Sequence, residues 1–188
     1  MGTKHKVKKQ VKYLTTDQIR LLINAIVGIR DKIIIKLLLD TGMRIGEFVL
    51  MKRDHLLVTE SRISIPAENT KTKESRIVRV NRELMNDLIA YCNLKGVKHS
   101  YIWKGYKTYA PITTRALRTM VTNYGKKIGL DWLSPHKLRH THIVQALEKG
   151  VPINAVQAQV GHKNLKTTQV YSKLAITQVQ DAYDKVGL

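Results

Sequence analysis

The stretch "DKIIIKLLLDTG", from Asp31 to Gly42, constrains the fold of this chain more than any other. As a helix it is apolar nearly all round, so it needs cover on several sides rather than along one stripe. It is too short to cross a bilayer and Lys36 interrupts it, so it reads as a buried helix of a globular domain. Gly42 is placed to end it, because glycine adopts the left-handed cap conformation without penalty.

The flanking segments supply the cover. Thr15 opens a Thr-x-x-Gln capping box ahead of the amphipathic "DQIRLLINAI", and "RIGEFVLMK" follows the glycine as a further helix. "RISIP" and "RIVRV" are short, β-branched and separated by the polar "AENTKTKES". They read as a β-hairpin with lysines in its turn, and "YIW" is a candidate third strand. Asn81 caps a helix through Asn93, "TTRALRTMVTNYGKKIG" is amphipathic, and helices from 136, 153 and about 164 complete the chain. The expectation is a mainly α domain with a small antiparallel β-sheet, an α+β arrangement. Residues 1–14 form a basic N-terminal arm or linker, 15–174 the main domain, and 175–188 a C-terminal helical tail.

At 188 residues the chain suits one domain with a core of its own. Its single cysteine, Cys92, excludes an internal disulfide framework and fits a reducing, cytoplasmic setting, with the residue itself as inert packing. A net charge of +19 is the electrostatic footprint of a nucleic-acid binder, against the rivals of a ribosome-like scaffold or an anionic-membrane protein. Aromatic residues are only 6%, too few for extensive single-strand stacking, so the expected partner is double-stranded DNA rather than a membrane.

Three stretches carry candidate chemistry. In "SPHKLRHTH", Ser134 suits the N-cap and Pro135 the first helical position, which puts His136 and Arg139 on one face of the first turn. Such a helix start attracts anions, and a guanidinium and an imidazole strengthen that preference for a phosphate. The spacing of His136 and His140 also occurs in metal sites, but Arg139 between them would repel a divalent ion and no carboxylate or cysteine completes a set. No metal is expected, and His140 and His142 read as structural. In "TGMRIGEF", Arg44 follows the glycine break and Glu47 lies three residues on, which alone is an ordinary exposed pair. In "GHKNLKTTQVYSKL", His162 sits in a turn and a short helix leads to Tyr171.

Together these three stretches resemble the catalytic domain of the tyrosine site-specific recombinases, the phage integrase family, from about Tyr13 to Leu188. "TGMRIGE" resembles that family's first-arginine box, "PHKLRHTH" its His-x-x-Arg box and "GHKNLKTTQVY" its final His-to-Tyr segment, in the family's order and spacing. The resemblance implies that Arg44, His136, Arg139 and His162 surround a scissile phosphate, that Tyr171 is the nucleophile, and that Glu47 is the acidic, orienting position of the first box. The family's lysine lies in its hairpin turn. Here Lys71 is favoured by its Thr-Lys-Thr setting, with Lys73 as the alternative. Neither ATP nor any other cofactor is implied.

Members of that family usually carry a further N-terminal helical domain that closes on the duplex from the opposite side. Ahead of Thr15 this sequence has the basic arm, which leaves open a chain cut at the linker or a naturally short form. The family's C-terminal segment often docks on a neighbour, so the tail here either docks in trans or folds back. The implied assembly is a homo-tetramer on DNA and a monomer or weak oligomer when free. Arg115, Arg118 and Lys137 are the candidates for further DNA contact. Two rival functions are a DNA-binding module of the same fold that does not cut, and a type IB topoisomerase-like enzyme that relaxes supercoils.

Overall fold

The computed structural model describes residues 12–70, 73–105 and 109–161. It opens with α1 (Thr16–Asn24), held by the expected capping box: Thr15 Oγ1 accepts from the Gln18 N–H, and Gln18 Oε1 from the Thr15 N–H. Leu14, at the end of the stretch read as the basic arm, is fully buried, and its N–H donates to Thr141 Oγ1 at 2.9 Å.

Helix α2 (Ile29–Thr41) is the buried helix its composition requires. Ile33, Ile34, Ile35, Leu37 and Leu38 are all buried, and each fully buried side chain of this kind stabilises the fold by about 1.5–3 kcal/mol. Gly42 ends it at φ 60°. A short helix α3 (Ile45–Val49) follows, then the strands β1 (Leu56–Leu57), β2 (Arg62–Ile65) and β3 (Arg76–Arg79). The sheet is antiparallel in the order β1-β2-β3, with Ile63 opposite Val78 and Ile65 opposite Arg76.

The hairpin is therefore where it was expected, but the third strand is not. Leu56 and Leu57 pair with β2, whereas Tyr101 of "YIW" makes a single bridge to Lys52. Ile102 and Trp103 are instead core residues. The apolar character of that segment served burial rather than strand pairing.

Asn81 caps α4 (Arg82–Leu94), and Thr113 caps α5 (Thr114–Lys127). Ser134 and Pro135 open α6 (Pro135–Glu148), and α7 (Ile153–Val160) ends at Gly161 with φ 69°. Ile143, Val144, Leu147, Val156 and Val160 form a small cluster of their own between α6 and α7. At the free edge of β3, Gln159 of α7 pairs with the backbone of Arg79, accepting from its N–H at 3.0 Å and donating to its carbonyl at 2.9 Å. Cys92 is buried, and burial pushes its thiol pKa up, as expected of inert packing. No described helix is long and apolar enough to cross a membrane.

Candidate active site

Arg44 is the N-cap residue of α3, a helix too short to persist without tertiary support. Phe48 supplies the support: it is fully buried and stacks on Trp103 with ring centroids 5.3 Å apart and planes 7° from parallel. The residue before it, Glu47, also points inward. It is 3% exposed, so the ordinary surface pair expected from "TGMRIGEF" is corrected to a buried carboxylate.

Burial on this scale demands compensation, and two arginines provide it. Glu47 Oε1 accepts from Arg44 Nη1 at 3.2 Å and Oε2 from the Arg44 backbone N–H at 3.0 Å. Arg76, the first residue of β3, donates to the same two oxygens at 2.9 and 2.6 Å. Burial alone would push the Glu47 pKa up, but the hydrogen bonds and charges of Arg76 and Arg44 prevail and hold it below its ordinary value. Arg44 Nη2 reaches on to the Gly161 carbonyl at 2.7 Å.

Arg139 is anchored in the same manner. It is 5% exposed, and its Nη1 donates to the Gly42 carbonyl at 2.6 Å. Each motif arginine thus rests on the carbonyl of a glycine that ends a helix in the left-handed conformation. His142, one turn along α6, packs against Gly42, with its Nδ1 2.9 Å from the Leu39 carbonyl. Its role is structural, as expected.

His136 lies at the start of α6, its ring 4.2 Å from that of His140 in an edge-on arrangement. Partial burial, then the charges of Arg139 and Lys137, hold its pKa below the ordinary histidine value. Among the described residues, no three histidines, cysteines or acids gather as a metal would need. Lys137 is half-buried and its N–H donates to Ser134 Oγ, so its backbone serves the cap.

Arg44, Arg139 and His136 line one cleft of about 470 Å³, together with Ser134, Asn69 and Arg118. Glu47 is its one carboxylate among the described residues, and that charge is already engaged. The cleft is therefore cationic, and the α6 N-terminus opens into it. Arg115 and Arg118 were both candidates for DNA contact on this helix. The structure separates them: Arg118 turns to this cleft, while Arg115 lines another, beside Asp31 and Tyr124.

Lys73 is exposed in the hairpin turn with φ 55°. Thr70, 4% exposed, braces that turn by accepting from the Glu74 N–H at 3.1 Å. Lys71, His162 and Tyr171 lie outside the described residues, as do most of the basic arm and the C-terminal tail.

Sequence reasoning missed Asn69 and Arg76. Asn69 carried no signal. Arg76 did, because in "RIVRV" it alternates in phase with Val78 and Val80, both buried. An arginine on the buried face of a strand calls for a carboxylate partner.

A family model described as the phage integrase family matches residues 12–177. Tyrosine recombinase XerA of Pyrococcus horikoshii is 28% identical over 183 residues, spanning 96% of this chain and 63% of the relative. The crystal structure of XerA recombinase superposes with a TM-score of 0.77 at 28% identity, over 93% of this chain and 64% of that one. XerH site-specific recombinase bound to its difH substrate shares the fold, with a TM-score of 0.73 at 20% identity over 85% and 49% of the two chains. This chain thus spans between about half and just under two thirds of the length of the relatives it matches, and the family match takes in all the described residues. The chain belongs to the phage integrase family.

Proposed function

We propose that this chain is the catalytic core of a site-specific DNA recombinase, which cleaves and rejoins duplex DNA through a 3′-phosphotyrosine. One observation carries the reading: Arg44 and Arg139, from motifs far apart in sequence, are each fixed by a glycine carbonyl at the wall of one cationic cleft. Two pre-positioned guanidiniums beside a helix N-terminus suit a phosphodiester whose non-bridging oxygens gain charge during in-line displacement.

In this account Tyr171 attacks the phosphorus and the bond to the 5′-oxygen breaks. A tyrosine hydroxyl has a pKa of about 10, so it needs a base. His136 suits that task, because its depressed pKa leaves it neutral and able to accept a proton near pH 7. The departing 5′-oxygen takes its proton from the hairpin turn, from Lys71 with Lys73 as the alternative, and His162 donates a hydrogen bond to the phosphate. The phosphotyrosine conserves the energy of the phosphodiester, so religation to another strand needs neither ATP nor a divalent ion. Charge and cleft support double-stranded DNA as partner; assembly of four copies on it is what the family resemblance implies.

The product of the reaction tests this reading. Duplexes carrying sites from the protein's own genomic neighbourhood are expected to emerge joined to new partners. Supercoiled circles that relax without exchanging partners would instead mark a topoisomerase, and salt-sensitive binding without cleavage a non-cutting module.

A further inference from the structure

We infer that Arg76 is a positioning residue, which registers the lysine-bearing hairpin against the first arginine box by fixing Glu47 and, through it, Arg44. The inference rests on the recombinase reading above and adds a residue to it.

The geometry assigns the controlling part to Arg76 rather than to Arg44. The Arg76 side chain is 13% exposed, against 31% for Arg44. Its planar fork meets both Glu47 oxygens at 2.9 and 2.6 Å, whereas Arg44 gives the carboxylate its backbone N–H at 3.0 Å and a single guanidinium bond, at 3.2 Å. A bidentate pair fixes the orientation of a carboxylate as well as its distance, and a single longer bond does not. The carboxylate is therefore held by the α3 N-cap backbone and the Arg76 fork together, and the Arg44 guanidinium settles on the carboxylate so presented.

Arg76 also touches the second anchor of Arg44. A Cβ on Gly161 would lie 2.9 Å from Arg76 Cζ, so the guanidinium packs on the residue whose carbonyl accepts from Arg44 Nη2. Its Nε–H is buried and has no acceptor among the described residues, which leaves Glu47 as the partner that holds it. Arg76 does not line the cleft, so it serves the phosphate only through others. It also follows the turn directly. Thr70 braces that turn at one end, and Arg76 ties the other end to α3.

The test compares Arg76→Met, Arg76→Lys, Glu47→Gln and the double variant Arg76→Met/Glu47→Gln. Single-turnover cleavage of a nicked duplex is measured alongside binding affinity, its salt dependence and the NMR signals of the Arg44 guanidinium. Arg76→Met is expected to slow cleavage by up to about 100-fold, the scale of a small misplacement remote from the chemistry. Affinity and salt slope should stay close to wild type. The double variant should be no slower than the slower single one, because both changes break the same chain of contacts. Arg76→Lys keeps the charge and guards against loss of folding; having lost the fork, it should also be slow.

Two independent slowings that multiply in the double variant would overturn the inference, and so would a salt slope reduced by Arg76→Met. The NMR signals do not depend on activity: in the wild type the Arg44 guanidinium should be resolved and in slow rotation, and in Arg76→Met averaged. Unchanged signals overturn the inference even if the wild type cleaves nothing, an outcome that would by itself count against the recombinase reading.

Discussion

Arg44 Nη2 donates to the carbonyl of Gly161 at 2.7 Å, a contact that joins the first arginine box to the residue preceding His162 across 117 positions of sequence. The contact requires the chain to turn at Gly161 with φ 69°, and Arg76 leaves no room there for a side chain. Gly161→Ala is therefore expected to destabilise the domain by about 1 kcal/mol from the left-handed backbone alone, with more from displacing Arg76. Cleavage should fall further than stability, because Arg44 loses its seat. Urea midpoints and single-turnover rates measured together check this; a stable, fully active variant would show that the seat is dispensable.

Glu47→Gln leaves two arginines facing a neutral amide in a buried position. Loss of one partner of a buried charge network costs about 3 kcal/mol, which the urea midpoint will report. The wild-type protein carries a matching pH dependence. The folded-state pKa of Glu47 lies below its ordinary value of 4.5, so its stabilisation is complete above 4.5 and lost as pH falls through the folded value. Glu47→Gln should flatten that acid limb. An unaltered limb would assign acid sensitivity to other carboxylates.

His136 should govern the acid side of catalysis. Partial burial and the charges of Arg139 and Lys137 hold its pKa below 6.5, so the rate should be level near pH 7 and decline only below 6.5, as the imidazole becomes protonated. His136→Gln should lower the plateau and remove that limb. A limb that persists in the variant would give the base role to another group.

Arg118 and Arg115 lie three residues apart on α5 but face different clefts. If Arg118 meets a phosphate beside Arg44 and Arg139, Arg118→Gln should reduce the slope of log affinity against log salt by about one and slow cleavage. Arg115→Gln should leave cleavage of bound DNA near wild type. Equal effects of the two on cleavage would mean that α5 contributes charge without a specific contact.

The contrast between those arginines marks the limit of what the chain discloses before folding. Signals that act within a few residues were legible: the Thr15 box, Gly42 as helix stop, Asn81 as cap, and Ser134 with Pro135 opening α6. Those features depend on local geometry. Glu47 was identified as an orienting acid, but its burial was not, because burial is set by Arg76 across 29 positions of sequence. "YIW" misled for a related reason: β-branched and aromatic residues suit a strand or a core equally, and Trp103 is taken by Phe48 and Tyr91. The division of α5 between two clefts follows from how it packs against its neighbours, and helical periodicity carries no record of that.

Covalent trapping tests the central claim most directly. The protein is incubated with nicked duplexes from its genomic neighbourhood in EDTA, denatured, and examined for protein–DNA adducts beside Tyr171→Phe. An adduct that survives both chelator and denaturant and is absent from the variant is the predicted result. No adduct from the wild type on any duplex that it binds, or an adduct that persists in Tyr171→Phe, would contradict the account.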